Sequence, residues 1–216
     1  MRHLFVDSEY CSMGRWIILA TTKKLNMHYY DDSALLELID KTEKIGEVNR
    51  LTEDLKKTSK SYQAVRKTDD FQTVRSIFDE AIKKALLIGP SIVHERGNPQ
   101  ASSSKKNYFS VLIYNSSLEA KIPRTAYDEK YQGKEFSREQ QHTLLKQEDQ
   151  ARKLYKNACF NQEVWGKKET YDLCLNTAYL TKEQCVEILV TLLTEKRVEK
   201  EEFAQIVVNK FGVVGD

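Results

Sequence analysis

The chain is poor in the residues that interrupt regular structure. Its 216 residues include 3 prolines and 8 glycines, so the long segments between them are free to form helices. The four cysteines are too few and too widely spaced for a disulfide scaffold, and they form no C-x-x-C pair. No stretch approaches the roughly 20 consecutive apolar residues that cross a bilayer. The opening residues M-R-H-L-F-V-D turn polar too early for a signal peptide.

The sequence also lacks a marked charge imbalance. It has 34 basic and 32 acidic residues, a formal net charge of +2, and 10% aromatic residues. A disordered chain would have fewer aromatics and a larger imbalance. A polynucleotide-binding protein that relies on its overall charge would be more basic. We therefore expect a cytoplasmic globular protein with a substantial core, which binds neither DNA or RNA polymers nor membranes. The oligomeric state stays open.

Two hydrophobic patterns alternate along the chain. Short apolar runs rich in branched and aromatic residues predict strands, and amphipathic segments between them predict helices. This alternation predicts a three-layer α/β/α fold with an open parallel sheet, in which ligands bind at the carboxyl ends of the strands. The predicted strands are residues 4–6, 28–30, 86–88, 109–114 and 171–175, and the predicted helices are residues 15–25, 33–44, 68–84, 117–127, 140–159, 181–196 and 200–210.

The first turn from strand to helix, residues 7–16, reads D-S-E-Y-C-S-M-G-R-W. A phosphate-binding loop needs backbone N–H groups that point inward, a glycine where the chain turns and a cation at the start of the helix. Gly14 and Arg15 meet the last two requirements. The turn lacks the spaced glycine and the Lys-Ser/Thr ending of a Walker A loop. An ordinary strand–turn–helix connection therefore remains the alternative.

Several segments together resemble the cytidylate kinase-like family. Residues 8–15, S-E-Y-C-S-M-G-R, and the Y-Y-D at 29–31 are similar to that family's loop R-E-Y-G-S-G-G-R-E-I and its Y-Y-D strand end. Residues 148–155, E-D-Q-A-R-K-L-Y, resemble its D-K-x-R-x-x-Y segment. Trp165 with Y-D-L-C-L-N-T at 171–177 resembles its W…Y-D-L-x-I-N-[ST] stretch. Residues 86–89 and 117–122 resemble its third strand and its P-x-E-x-R-I helix, so the matches follow the family's order.

The resemblance implies a P-loop nucleoside-monophosphate kinase fold with a five-stranded parallel sheet, in one domain over residues 1–216. Residues 32–83 would form the monophosphate-side helical region, 124–155 the lid and its flanking helix, and 197–216 a C-terminal helical extension. The implied reaction moves the γ-phosphoryl group of ATP to CMP, dCMP or a similar nucleoside monophosphate, with Mg²⁺. Such catalysis depends on positioning and charge neutralisation.

The resemblance also assigns roles to individual residues, and some of these have plain alternatives. Arg152 is the best candidate for a clamp on the transferred phosphoryl group, although Glu148 four residues earlier also predicts a helix-surface ion pair. Asp31 and Asp32 either meet the monophosphate or cap the next helix. The implied site residues are Arg15, Arg124 and Arg152 for catalysis; Ser12, Met13, Gly14, Arg15 and Trp16 for the phosphates of the nucleotide; and Asp31, Asp32 and Gly89 for the monophosphate, with no metal-ligating residues.

The loop departs from the family pattern at chemically important positions. Cys11 and Met13 stand where the family has glycine, and a side chain there restricts the backbone. Trp16 stands where a P-loop has a Mg²⁺-binding Ser or Thr and this family commonly has Glu. Pro90 follows Gly89 where the family has an arginine expected to meet the monophosphate.

These departures keep two other hypotheses open beside an active kinase. One is a catalytically impaired nucleotide-binding homologue with a regulatory or binding role. The other is a helical interaction module that presents residues 44–67 and the final helix to a partner. The second would need an exposed apolar stripe, and none is obvious in the sequence.

Overall fold

A computed structural model describes residues 1–97, 107–128, 131 and 133–194. Short 3₁₀ helices at Thr42–Lys44, Ile122–Tyr127 and Lys168–Thr170 join the main elements. The strands are β1 (His3–Ser8), β2 (His28–Tyr30), β3 (Ser91–His94), β4 (Tyr108–Tyr114) and β5 (Leu173–Asn176), and the helices are α1 (Gly14–Leu25), α2 (Asp32–Leu38), α3 (Ile45–Lys57), α4 (Tyr62–Arg66), α5 (Asp69–Ile88), α6 (Leu118–Lys121), α7 (Arg138–Phe160) and α8 (Lys182–Thr194).

The five strands form one all-parallel sheet in the order β2-β3-β1-β4-β5. The central strand β1 pairs with β3 and β4, so that Val6 lies opposite His94 on one side and Val111 on the other. Parallel strands of this kind are covered on both faces, which explains their nearly continuous apolar sequences. The predicted fold class, a five-stranded α/β/α architecture, is confirmed.

Each face of the sheet has its own apolar core. Leu4 and Val6 of β1 pack with α1 and α8 on one face. Phe5 points to the other face, where it packs with α5 and α7. Successive residues of a strand alternate between faces, so β1 binds the two cores together. The carboxyl end of β1 is therefore fixed from both sides.

The prediction that residues 86–88 form the third strand is wrong. These residues are the last turn of α5, and Leu87 is 87% exposed. The buried stripe of α5 continues at helical spacing as far as Ala85, which carries the helix through the short apolar run. The third strand is the buried segment Ser91–His94. Gly89 consequently lies before β3 and not after it.

The helix predicted over 33–44 ends early, at Leu38. Asp40 has a φ of 54°, and this left-handed residue turns the chain before a 3₁₀ turn begins at Thr42. Residues 44–67 then form α3 and α4 rather than a free partner surface, because Val48, Leu51 and Val65 are buried in the main core. The predicted helix at 200–210 and the extension at 197–216 lie outside the described residues.

No helix among the described residues combines the length and the apolar character needed to cross a membrane.

Candidate functional site

Two residues in the loop between β1 and α1 have backbone angles typical of glycine, although neither is glycine. Cys11 has a φ of 62° and Met13 a φ of 70°. Side-chain-bearing residues other than Asn and Asp rarely adopt this left-handed conformation, which costs on the order of 1 kcal/mol each. The family pattern has glycine at both of these positions. The loop therefore follows the path expected for glycine while carrying larger side chains.

Gly14 is required by a close approach of two elements. A Cβ atom at this position would lie 2.5 Å from Cβ of Ser8 and 2.9 Å from its Oγ. Both distances are shorter than van der Waals contact. The absence of a side chain at Gly14 is what allows α1 to begin directly against the end of β1.

The N-terminus of α1 has no side-chain cap, and its first turn has no acidic residue. Among the described residues, no acceptor meets the backbone N–H groups of Gly14, Arg15 and Trp16. The positive end of a helix dipole and unpaired N–H groups together favour an anion. Helices α2, α4, α5, α6 and α7 are capped instead by the side chains of Asp31, Ser61, Thr68, Ser117 and Ser137.

The Ser12 side chain anchors the loop to the sheet. It is fully buried, and its Oγ donates to the Ile113 carbonyl of β4 at 3.1 Å. The Ser12 carbonyl in turn accepts from Thr177 Oγ1 at 2.9 Å. These contacts join the loop to the ends of β4 and β5, so the Ser12 hydroxyl holds the loop in place.

The large side chains of the loop lie to its sides. Met13 packs against the apolar cluster shared by α1 and α8. Trp16 is 68% exposed, and the Lys182 ammonium lies 5.3 Å from the centre of its ring. Arg15 is also exposed and reaches Asp31 at 3.4 Å. An exposed pair of this kind contributes little to stability.

The two aspartates after β2 have different roles. Asp31 Oδ1 accepts from the Ala34 N–H at 3.1 Å and caps α2. Asp32 instead receives two hydrogen bonds from Arg96, from Nε at 2.8 Å and from Nη2 at 2.9 Å. The helix-cap alternative is thus confirmed for Asp31. Asp32 forms the bidentate pair that an arginine fork favours.

Arg96 is a site residue that the sequence reasoning missed. It follows β3 by two positions, and its guanidinium lies 4.4 Å from the centre of the Tyr155 ring. Burial alone lowers the pKa of Arg96, but Asp32 raises it above the ordinary value, so the side chain stays charged. The basic residue at the carboxyl end of the third strand is therefore present. The family pattern places this residue beside Gly89, but Gly89 lies at the opposite end of β3, near His28.

Arg152 reaches the loop from α7. Its Nη1 donates to the Ser8 carbonyl at 3.1 Å, and its Nη2 lies 3.2 Å from Glu95 Oε1. The guanidinium also lies 5.5 Å from the centre of the Tyr10 ring. The structure thus brings Arg152 to the end of β1.

Two further cations contact the loop. Arg124 donates to the Cys11 carbonyl at 2.9 Å. Lys121 pairs with Glu9 at 3.2 Å and with Asp149 at 3.0 Å. Asp149 also accepts from the Tyr10 N–H at 2.6 Å. The cationic side chains around the loop could bind an anion. Carboxylates and carbonyls of the protein itself already pair with them.

Burial sets the protonation state of Cys11, the one cysteine near this site. It raises the pKa of the thiol to about 12, against the lowering effect of Lys121 and Arg152. A thiolate is the nucleophilic form of cysteine. At neutral pH Cys11 therefore stays protonated and serves as a packed side chain.

A cavity of about 140 Å³ lies between α3, α7 and the end of β3. Two arginines and three carboxylates face it, so a ligand in the cavity would meet side chains of both charges. Its lining consists of Asp32, Asn49, Thr52, Leu55, Glu95, Arg96, Glu148, Ala151, Arg152 and Tyr155.

The residues at the start of α1 do not fit Mg²⁺. Trp16 offers no oxygen ligand where a Ser or Thr would supply one. Within residues 1–97, 107–128, 131 and 133–194, no group of three or more His, Cys, Asp or Glu side chains is arranged to hold a metal ion.

Sequence reasoning assigned no role to Glu95, Arg96 or Asp149 for one common reason. Their roles depend on contacts across the fold, such as the 87 residues that separate Ser8 from Glu95. A usable signal did exist for the first two. A charged pair follows the short apolar run S-I-V-H at 91–94, and charged residues directly after a buried parallel strand mark a binding edge.

Comparisons with known proteins agree with this architecture. The model of the cytidylate kinase-like family matches residues 5–179. A crystal structure of an uncharacterized protein from Eubacterium ventriosum is similar, with a TM-score of 0.63, 18% identity, and coverage of 91% of this chain and 100% of that one. No curated protein matches the chain. Because the family model spans most of the sequence, this chain belongs to the cytidylate kinase-like family.

Proposed function

We propose that this protein transfers the γ-phosphoryl group of ATP to CMP, dCMP or a similar nucleoside monophosphate. The observation that carries the proposal is the uncapped N-terminus of α1, which Gly14 places directly against the end of the central strand. Free N–H groups at that point suit the phosphates of a nucleotide. Membership of the cytidylate kinase-like family supports phosphoryl transfer as the reaction type.

The proposed reaction needs two phosphate-binding regions that face each other. The start of α1 would hold the phosphates of ATP. Arg96 and Asp32, at the ends of β3 and β2, line the cavity proposed for the acceptor. An oxygen of the acceptor phosphate attacks the γ-phosphorus, the bond from that phosphorus to the bridging oxygen breaks, and ADP leaves.

Arg152 lies between these two regions and is the proposed clamp. Its guanidinium contacts the end of β1 and also lines the cavity. A planar fork of N–H donors can bind oxygens of both the donor and acceptor phosphates as charge develops. Arg124 holds the loop through the Cys11 carbonyl and is proposed as a positioning residue. ATP is the phosphoryl donor in this proposal, and the residues at the start of α1 do not fit Mg²⁺.

The test is ADP formation from ATP with CMP, dCMP, UMP or AMP as acceptor. Turnover is expected only when an acceptor is supplied. Arg152→Ala and Arg96→Ala should each lower kcat/KM by about 100-fold or more, as expected for a charged group on the transferred phosphoryl. Arg138→Ala is the matched control, because Arg138 is 70% exposed and pairs with Glu119 on the protein surface.

A catalytically impaired nucleotide-binding protein is the second candidate. Two observations favour it. Carboxylates of the protein already pair with the cations of the site. The exposed Trp16 stands where a P-loop has a Mg²⁺-binding Ser or Thr. Such a protein would show a rise in melting temperature with ATP or CMP and no ADP formation. If neither nucleotide raises the melting temperature at millimolar concentration, both candidates fail.

A further inference from the structure

Glu95 adopts a backbone conformation that its side chain does not favour. Its φ is 67°, and it directly follows β3. Other non-glycine residues with positive φ in the described chain include Asn26, Asp40 and Asn161, residue types that tolerate it. Cys11, Met13 and Glu95 do not belong to those types, and all three lie at the carboxyl edge of the sheet. Strained residues kept at a binding edge point to a functional constraint.

The Glu95 carboxylate is held by groups suited to a phosphate. Its Oε1 accepts from Ser8 Oγ at 3.0 Å and lies 3.2 Å from Arg152 Nη2. His94 Nε2 is also 3.2 Å away. One oxygen atom thus meets a hydroxyl, a guanidinium and an imidazole. Charge-assisted bonds of this kind are the ones that bind phosphate oxygens.

These contacts keep the carboxylate ionised. Burial raises the pKa of Glu95, but Arg152 and His94 outweigh it and lower the pKa below the ordinary value of 4.5. Ser8 Oγ also lies 3.0 Å from His94 Nε2, and the Tyr29 hydroxyl lies 3.3 Å from Nδ1 of the same ring. Tyr29 therefore fixes the imidazole that faces Glu95.

The same carboxylate lines the cavity proposed for the acceptor, beside Arg96 and Arg152. A phosphate that entered between the two arginines would meet a negative charge already bound to one of them. Arg96 is likewise paired with Asp32. Like charges at contact distance repel each other, so the phosphate can bind Arg152 only when the Glu95 carboxylate has moved away from it.

We propose that Glu95 is an affinity-determining residue of this site, whose carboxylate takes the place of a phosphate oxygen on Arg152 and Ser8. The inference rests on the proposed function, because it assigns the cavity to the acceptor phosphate. Binding of a phosphate dianion then requires the Glu95 side chain to leave, and the measured affinity is reduced by the fraction of molecules in which it has left.

The experiment measures binding of CMP and of inorganic phosphate by calorimetry at pH 7.5. Glu95→Gln removes the charge at nearly constant size, and Glu95→Gly removes both the charge and the backbone strain. Each variant is expected to bind CMP and phosphate about tenfold more tightly, or better, than the natural sequence. Glu119→Gln is the matched control, since its exposed carboxylate pairs with Arg138 away from the cavity.

A double variant tests the mechanism of the gain. If the tighter binding comes from freeing Arg152, the double variant Glu95→Gln with Arg152→Ala should not show the tighter CMP and phosphate binding. Equal CMP binding by the natural sequence and both Glu95 variants would overturn the inference and leave the proposed function standing. Weaker binding by both variants would also overturn it, because Glu95 would then assist the ligand. If neither the natural sequence nor any variant binds CMP or phosphate when the ligand is in about tenfold excess over millimolar protein, the proposed function and the inference both fail.

Discussion

A missing side chain at Gly14 decides where α1 begins. Because a Cβ there would lie 2.5 Å from Ser8, Gly14→Ala must push α1 away from β1. We expect a loss of about 1–3 kcal/mol in the free energy of unfolding, as for overpacking elsewhere. We also expect loss of the melting-temperature rise with ATP, measured by urea and thermal unfolding.

Gly46 supplies the matched control for this residue. It lies in the first turn of α3, and a Cβ there would meet nothing within 4 Å. Gly46→Ala should therefore stabilise the protein by about 0.5–1 kcal/mol, because alanine loses less conformational freedom in a helix. Equal effects at Gly14 and Gly46 would contradict the steric account.

At the residue scale, the sequence predicted positions better than it predicted partners. Gly14 lies at the start of the first helix as expected, and Asp31 caps α2. The partner of Asp32 could not be read from the sequence, because Arg96 is 64 residues away. The same holds for Glu95, whose contacts join β1, β3 and α7.

At the scale of elements, one buried ion pair fastens α7 to the sheet. Lys156 of α7 pairs with Asp7 of β1 at 3.1 Å and donates to the Gly97 carbonyl at 2.6 Å. The Tyr171 hydroxyl donates to the other oxygen of Asp7 at 2.8 Å. Both charged side chains are at least nine-tenths buried. Removal of one charge leaves the other without its compensation.

Lys156→Met should therefore lower the free energy of unfolding by about 3–5 kcal/mol. Lys156→Met combined with Asp7→Asn should recover part of this loss, because no unpaired buried charge remains. Lys153→Met, on the exposed side of the same helix, should change stability by less than about 0.5 kcal/mol. Urea unfolding of the three variants measures these differences, and a small effect at Lys156 would show that α7 is held mainly by apolar packing.

The misplaced third strand shows how elements can escape sequence reasoning. The run L-L-I at 86–88 is more apolar than S-I-V-H at 91–94, so it gave the stronger strand signal. The helix nevertheless continued through it, because the α5 stripe was already packed against the core. Tertiary packing thus outweighed local strand propensity. Because the strand is expected too early in the chain, Arg96, the basic residue that follows the true strand, also escapes sequence reasoning.

At the scale of the whole molecule, the near balance of charge is repeated within the site. Ion pairs engage Arg15, Arg96, Lys121 and Arg152 with carboxylates of the same edge. The site therefore presents a few placed donors and not a broad positive field. A long polyanion gains little from such a surface, because its binding depends on many uncompensated cations.

We accordingly expect no binding of single-stranded or duplex 20-mer DNA or RNA at 0.15 M NaCl. Fluorescence anisotropy of labelled oligonucleotides should stay flat to about 10⁻⁴ M protein, the weak end of non-specific binding. CMP and ATP, measured in the same buffer, serve as the small-ligand comparison. A rise in anisotropy that falls steeply with added salt would contradict this expectation and reveal a basic surface elsewhere on the molecule.

The left-handed backbone of Cys11, Met13 and Glu95 limits what substitutions can change at the binding edge. Their backbone angles are those of glycine although none of them is glycine, so the surrounding fold, and not the residue itself, dictates the path of the chain there. The shape of the binding edge is thus encoded at a distance, in the strands and helices that clamp it. Substitutions at these three positions can alter its chemistry while its outline stays the same.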